Sequence, residues 1–195
     1  EVIEQDFWLS HLRSFDSHPH SKYLFDKLMI KKISNKLELI QNSHFVSKLF
    51  NKSIKPNLPY LPISNLPNKI LIKEKYFRIA PGASWIGRQW SIESFTFVIN
   101  KIATQHNLLP VLCGSNSEKE LCQNIIKNVT IPCLNLAGNT NLPQLVELIR
   151  DGVFVLANES SSVHIATAVK TISFCITGGG HFGRFVPYPI NNNEI

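Results

Sequence analysis

An acid, three hydroxyls and an imidazole stand in line at Glu159, Ser160, Ser161, Ser162 and His164, where the apolar run "FVLAN" gives way to "SSSVHIATAV". Two chemistries suit that order. Serine oxygens satisfy the free N–H groups of a helix's first turn, which would make Ser160 to Ser162 no more than a cap. Alternatively the helix start is a ligand mouth, because unpaired N–H groups and the helix dipole favour a negative group there. Glu159, just outside that helix, either caps it or accepts hydrogen bonds from sugar hydroxyls, and His164 would stack under the ligand or bond to a phosphate. A satisfied structural histidine is the bland reading of His164. In "PGASWIGRQW", the small residues Gly82, Ala83 and Ser84 let backbone N–H groups approach a ligand closely, and Arg88 adds a forked donor suited to pyrophosphate. The bland alternative is that Gly82 only makes a turn and Trp90 only plugs the core. Glu118 either grips a ribose diol or serves the dipole of its own helix. "GGGHFGRF", Gly178 to Phe185, is expected to wrap closely round something or to move.

Other chemistries are excluded by what the chain lacks. No lysine–serine pair follows the glycine-rich loop as in a P-loop, and no GxGxxG opens a strand–helix unit. There is no serine elbow and no His/Cys cluster of metal-binding spacing, so neither a metal nor a cofactor is expected. Cys113, Cys122, Cys133 and Cys175 have no knuckle or redox spacing, and they read as free, buried, small apolar residues in a reducing cytoplasm.

The elements that must position these residues follow from periodicity. "YFRIA", "LLPVLCG", "IPCLNLAG", "VFVLAN" and "TISFCIT" read as strands. Helices are expected over "SIESFTFVINKIATQH", with Ile92, Phe95, Val98, Ile99 and Ile102 on one side, and over "SEKELCQNIIKN", opened by a Ser117–Glu120 capping box. "NLPQLVELIRDG", stopped by Gly152, and "SSSVHIATAV" complete the set. Strand and helix alternate and the strands are apolar on both faces. That pattern describes a doubly wound parallel α/β sheet, whose ligands bind outside the carboxyl ends of the strands. Earlier in the chain, "SKYLFDKLMIKKI" and "NKLELIQNSHFVSKLF" read as helices. Pro56, Pro59, Pro62 and Pro67 mark a linker, with the boundary near Asn68.

The 195 residues leave room for one ordinary domain and an appendage, and 44% hydrophobic residues suffice for its core. The net charge of +6 suits anionic partners. Its excess lies mainly in Lys22 to Lys55, a solvated helical face or a contact for membrane phosphates, without the interleaved aromatics of a nucleic-acid platform. No apolar run is long enough to span a bilayer, and the start does not read as a signal peptide. Nucleic acid is therefore not an expected partner.

Taken in order, "PGAS" with "RQW", "LCGSNSE", "NLAGNTNL", "NESSSVHIATAV" and "GGGHFGRFVPYP" resemble glycosyltransferase family 9, the bacterial lipopolysaccharide heptosyltransferases. The resemblance runs from about Arg78 to Pro189 and corresponds to the C-terminal, donor-binding half of such an enzyme. It implies a GT-B fold, with residues 1–68 a helical segment and Pro-rich linker left from the acceptor domain. Residues 69–195 would be a Rossmann-like domain for a nucleotide-diphosphate sugar, ADP-heptose foremost. Position by position, it implies that Ala83, Ser84 and Arg88 hold the diphosphate, Glu118 the ribose, and Thr140 and its neighbours the adenine. Glu159 would hold the donor sugar, with Ser160, Ser161 and His164 near the phosphates. Arg88 stands where the family commonly has Lys, Glu159 where it has Asp, and Ser161 where it has Gly. The implied reaction is an inverting transfer to a glycolipid acceptor, the lipopolysaccharide core, at the cytoplasmic face of the inner membrane. Arg88 would be catalytic by stabilising the leaving diphosphate, and the base would lie outside this chain, which is expected to be a partial enzyme. A domain that binds nucleotide sugars without transferring them is the alternative.

Overall fold

The computed structural model describes residues 36–179 and 182–189. Two compact units divide the chain, one running from Pro59 to Gly180 and the other formed, in its described part, by residues 36–58 and 182–189. The helix expected over "SKYLFDKLMIKKI", the Gly180–His181 pair and the terminal "NNNEI" lie outside the described residues.

The smaller unit holds α1, Glu38–Phe50, which ends on Asn51 in the left-handed conformation, φ 49°. Glu38 takes the Arg184 guanidinium at 3.0 Å, and its N–H donates to the Arg184 carbonyl at 2.7 Å. Gly183, with φ 80°, closes the turn that brings Phe182 opposite Val186.

The larger unit carries five strands: β1 Tyr76–Ala80, β2 Leu109–Leu112, β3 Leu134–Asn135, β4 Phe154–Asn158 and β5 Ile172–Ile176. They form one sheet in the order β3-β2-β1-β4-β5, and every pair is parallel. Between them run α2 Ile92–His106, α3 Lys119–Asn128, α4 Leu142–Asp151 and α5 Ser161–Val169. Alternation along β1 sends Phe77 and Ile79 to one face, where they meet Phe95 and Ile99 of α2 and Cys122 and Ile125 of α3. Tyr76 goes to the other face, with Val111, Cys113 and Leu148 of α4. Fully buried apolar residues on both sides of one strand are why the strands read as unbroken hydrophobic runs. The fold is therefore a Rossmann-like doubly wound α/β domain.

Local chemistry sets the element ends. Ser91 caps α2 by accepting the Ser94 N–H at 3.1 Å, and Asn141 and Gln144 form a reciprocal capping box on α4. Before α3 the expected box is displaced. Ser115 and Glu118 form it, not Ser117 and Glu120, because a 3-10 turn over Asn116–Glu118 precedes the α-helix and the free N–H groups belong to that turn. The strand expected over "IPCLNLAG" shrinks to two residues. There the Asn135 side chain accepts the Ala137 N–H at 3.1 Å and turns the chain off the sheet. β5 departs from the two-faced burial as well: Ile172 and Phe174 are 66% and 56% exposed, because α2 and α3 pack on β1, β2 and β4.

The proline-rich stretch is irregular, as expected, but it is not a loose tether. The larger unit begins at Pro59, ahead of the boundary expected near Asn68, and it ends at Gly180, short of the expected 195. Residues that cannot join a ladder leave their carbonyls open to other donors. The Arg150 guanidinium takes up Leu61 O at 3.1 Å and Pro62 O at 2.8 Å, Ser64 binds Glu147, and the Leu61 N–H reaches Ala168 O at 3.0 Å. Of the four cysteines, Cys113 and Cys122 are buried as expected, whereas Cys133 and Cys175 are half-buried; all are free. Burial pushes the Cys122 thiol up to about 12 and the Cys133 thiol to about 11, so both stay protonated and unreactive at neutral pH.

Candidate functional site

The chain moves from β1 to β2 on one side and from β4 to β5 on the other, so its direction reverses between the neighbours β1 and β4. Helices leave the sheet on opposite faces there, opening a crevice at the carboxyl ends of the strands. The loop after β1 carries Ala83, Ser84 and Arg88, and the loop after β4 carries Glu159, Ser160, Ser161 and His164. Neighbouring strands stand about 4.8 Å apart, so these two groups rise from adjacent points of one rim. The loop after β2, with Glu118, adjoins them on the other side of β1. Thr140 follows the outermost strand β3 and is the most distant of the set along the sheet order.

In the first loop, Ser84 and Arg88 are exposed and Ala83 is half-buried. A 3-10 turn over Ile86–Arg88 closes when the Arg88 N–H donates to Trp85 O at 2.9 Å. The bare backbone of Gly87 lets the Trp85 ring lie over it: a Cβ there would stand 2.5 Å from the ring, which would have to shift. Trp85 itself is 64% exposed, so an aromatic surface stands beside the Arg88 cation. Trp90 follows its bland reading, half-buried and edge-on to Phe95 with ring centroids 5.3 Å apart.

The capping explanation of the serines fails for Ser160. It is the N-cap of α5, yet its side chain makes no capping hydrogen bond, and its Oγ is buried without a hydrogen-bond partner. Ser162 is 5% exposed, while Ser161 is exposed at the helix start. Glu159 continues the sheet by donating its N–H to Ile176 O at 3.0 Å, and its Oε2 accepts the Thr177 hydroxyl at 3.3 Å. His164 is half-buried in the second turn of α5 and has a partner of its own.

Glu118 has its own commitments. Oε2 accepts the Ser115 N–H at 2.5 Å and the Ser115 hydroxyl at 2.7 Å, so one oxygen serves the helix start. Oε1 lies where a side chain at Gly82 would be, 1.3 Å from a Cβ built there. Gly82 thus does more than turn the chain, because its bare backbone is the surface against which Glu118 packs. Gly82→Ala should evict that carboxylate and cost about 1–2 kcal/mol, the worth of a lost cap. The check is a double-mutant cycle in urea with Glu118→Ala: the two costs should overlap rather than add.

Two contributors went unrecognised in the sequence. Asn158, fully buried at the end of β4, donates to Pro81 O at 2.5 Å and accepts the Trp90 N–H at 3.2 Å, holding both ends of the Arg88 loop. A polar residue closing the apolar run "FVLAN" was the available signal. Lys119 folds over Gly138, φ 69°, where a Cβ would lie 2.5 Å from its Cε. A groove of about 490 Å³ lined by Lys119, Gln123, Lys127, Asn135 and Asn139 lies beside β3 rather than between β1 and β4. Among the described residues, no three His, Cys, Asp or Glu side chains gather as metal ligands would. No described helix is long and apolar enough to cross a membrane.

A five-stranded parallel sheet in the order β3-β2-β1-β4-β5, with helices on both faces, defines a Rossmann-like α/β domain. The chain belongs to glycosyltransferase family 9 (heptosyltransferase), whose sequence pattern matches residues 14–194. It is 39% identical over 101 residues to the lipopolysaccharide core heptosyltransferase OpsX of Haemophilus influenzae, covering 50% of this chain and 28% of that protein. With lipooligosaccharide heptosyltransferase 2 of Campylobacter jejuni it shares 27% over 183 residues, 89% of this chain and 56% of the relative. The chain therefore spans about half or less of the length of these relatives. Its fold matches the structure of Escherichia coli heptosyltransferase WaaC with ADP-2-deoxy-2-fluoro heptose at a TM-score of 0.52 and 15% identity, over 77% of this chain and 46% of that one.

Proposed function

We propose that this chain binds the nucleoside diphosphate of a sugar donor, ADP-heptose, at the β1–β4 rim, as the donor half of a heptosyltransferase. The observation that carries the reading is the adjacency of β1 and β4, which brings the Arg88 loop and the α5 start to one crevice. The Arg88 guanidinium offers paired donors to the diphosphate, and the α5 N–H groups complement its charge. Ala83 and Ser84 let it approach, Ser160, Ser161 and His164 lie on its path, and Glu159 meets the sugar. Glu118 Oε1 and Thr140 face the nucleoside. Relatives named for the lipopolysaccharide core and for lipooligosaccharide support a core glycolipid as the acceptor class; we place the reaction at the cytoplasmic face of the inner membrane.

In the complete enzyme an acid outside this chain takes the proton from the acceptor hydroxyl as its oxygen attacks the anomeric carbon, with inversion. Arg88 and the α5 start stabilise the negative charge that grows on the departing diphosphate. The chain alone would bind donor without transferring sugar at a full rate.

Titration of the chain with ADP, UDP, GDP and CMP, followed by thermal unfolding and calorimetry, tests this. ADP should raise stability most, by about 2.7 kcal/mol at a hundred times its Kd. Arg88→Ala should weaken ADP binding roughly tenfold or more, the worth of one charge-assisted pair, without lowering the Tm of the free protein, because Arg88 is exposed. Equal affinity in the variant would remove Arg88 from the site, and equal shifts from all four nucleotides would remove the adenine assignment.

A further inference from the structure

Two charged side chains in the larger unit are only 1% exposed, Arg78 and Glu147. Glu147 is met by Ser64 and Arg150. Arg78 is not met in this way: its Nε and Nη1 are buried and have no hydrogen-bond partner. Guanidinium does not give up its proton in proteins, so the charge persists at a site where leaving it unpaired is costly. A side chain of similar volume without charge would fill the same space at no such cost.

The position of this charge is informative. Arg78 sits in the central strand β1, flanked in register by Val111 and Val155. Alternation puts it on the Tyr76 face, the face on which α4 packs. It stands two residues, about 7 Å, below Ala80, the last residue of β1. The next row towards the rim on that face is Ala80 paired with Ala157, two side chains of one methyl each. On that face this alanine pair is the strand row between Arg78 and the rim, and the Oγ of Ser160, just after neighbouring β4, is also buried without a hydrogen-bond partner.

We propose that Arg78 is the buried half of an ion pair that the ligand completes: its charge holds the diphosphate at the β1–β4 rim from below, while Arg88 holds it from the loop. The inference rests on the reading of that rim as a diphosphate site. It assigns Arg78 a positioning role exerted through the field of an unscreened charge, which in the protein interior acts over several ångströms.

The experiment compares the wild-type chain with Arg78→Met, Arg78→Lys and Arg78→Gln, using thermal unfolding and calorimetric titration with ADP and with inorganic pyrophosphate. Arg78→Met should leave the Tm of the free protein unchanged or higher, because an unpaired charge is gone, and should weaken both ligands by about tenfold to fiftyfold. Arg78→Lys should keep most of the affinity. A folded Arg78→Met with wild-type affinity overturns the proposal while leaving the rim reading intact. Wild-type protein that binds neither ADP nor pyrophosphate overturns both. If Arg78→Met does not fold, the Lys and Gln variants decide: equal affinities overturn the proposal, and a tenfold advantage for Lys supports it.

Discussion

Asn158→Ala should lower the stability of the larger unit by about 2–4 kcal/mol, the cost of leaving two backbone groups without partners where water enters poorly. One amide holds both ends of the loop that follows β1: Nδ2 donates to Pro81 O, and Oδ1 accepts from the Trp90 N–H. The assignment of the two amide atoms is forced, since Pro81 offers only a carbonyl here and Trp90 only an N–H. Asn158→Asp should be worse than alanine, although it is nearly isosteric. It keeps the acceptor for Trp90 but turns a carboxylate oxygen against the Pro81 carbonyl, and it buries a charge at a residue that is 0% exposed. Urea unfolding of both variants gives the order. Because the same loop carries Arg88, nucleotide affinity should fall in both, even where the fold survives.

Glu147→Ala should cost about 3 kcal/mol, the low end for breaking a buried ion pair, since Arg150 is 17% exposed and can regain some water. Glu147 accepts the Ser64 hydroxyl at 3.1 Å, meets Arg150 Nε at 3.3 Å and lies 3.9 Å from Lys69 Nζ. The residues that appear in sequence as a linker are fastened to α4 through this carboxylate. Burial raises its pKa, but the Ser64 hydrogen bonds and the Arg150 charge outweigh burial, and the net shift is downward. A folded value below the unfolded one, about 4.3, means that the carboxylate stabilises the fold above that pH. The contribution is lost as pH falls through the folded value. The gap between wild type and Glu147→Ala, measured by unfolding from pH 7 to pH 3, should therefore narrow on the acid side. A gap of constant size would mean that Glu147 acts through packing alone.

Both predictions turn on contacts far apart in the chain, and that separates what could be read early from what could not. Apolar runs and helical stripes, such as Ile92, Phe95 and Ile99, are local patterns imposed by the periods of strand and helix, and they identified the elements. Motif order then identified the family over the same loops. The cap before α3 was read two residues late, because a 3-10 turn and an α-helix leave nearly the same apolar signature. The serines were ambiguous for a similar reason: capping and ligand binding use the same oxygens, and only the buried, unbonded Oγ of Ser160 removes capping at that residue.

The sequence alone determined the alternation of strand and helix and the residues that border each strand end, since those depend on neighbours a few positions away. Tertiary structure decided that β1 lies against β4, across more than seventy residues, and so that Arg88 and Ser160 share a rim. It also decided that Asn158 holds the Pro81–Trp90 loop, that Gly82 makes room for Glu118, and that Nε and Nη1 of Arg78 are buried without a hydrogen-bond partner. The physical reason is common to all four: strand pairing and the fate of a buried polar atom are set by whatever the fold brings alongside, and no local period encodes that neighbour.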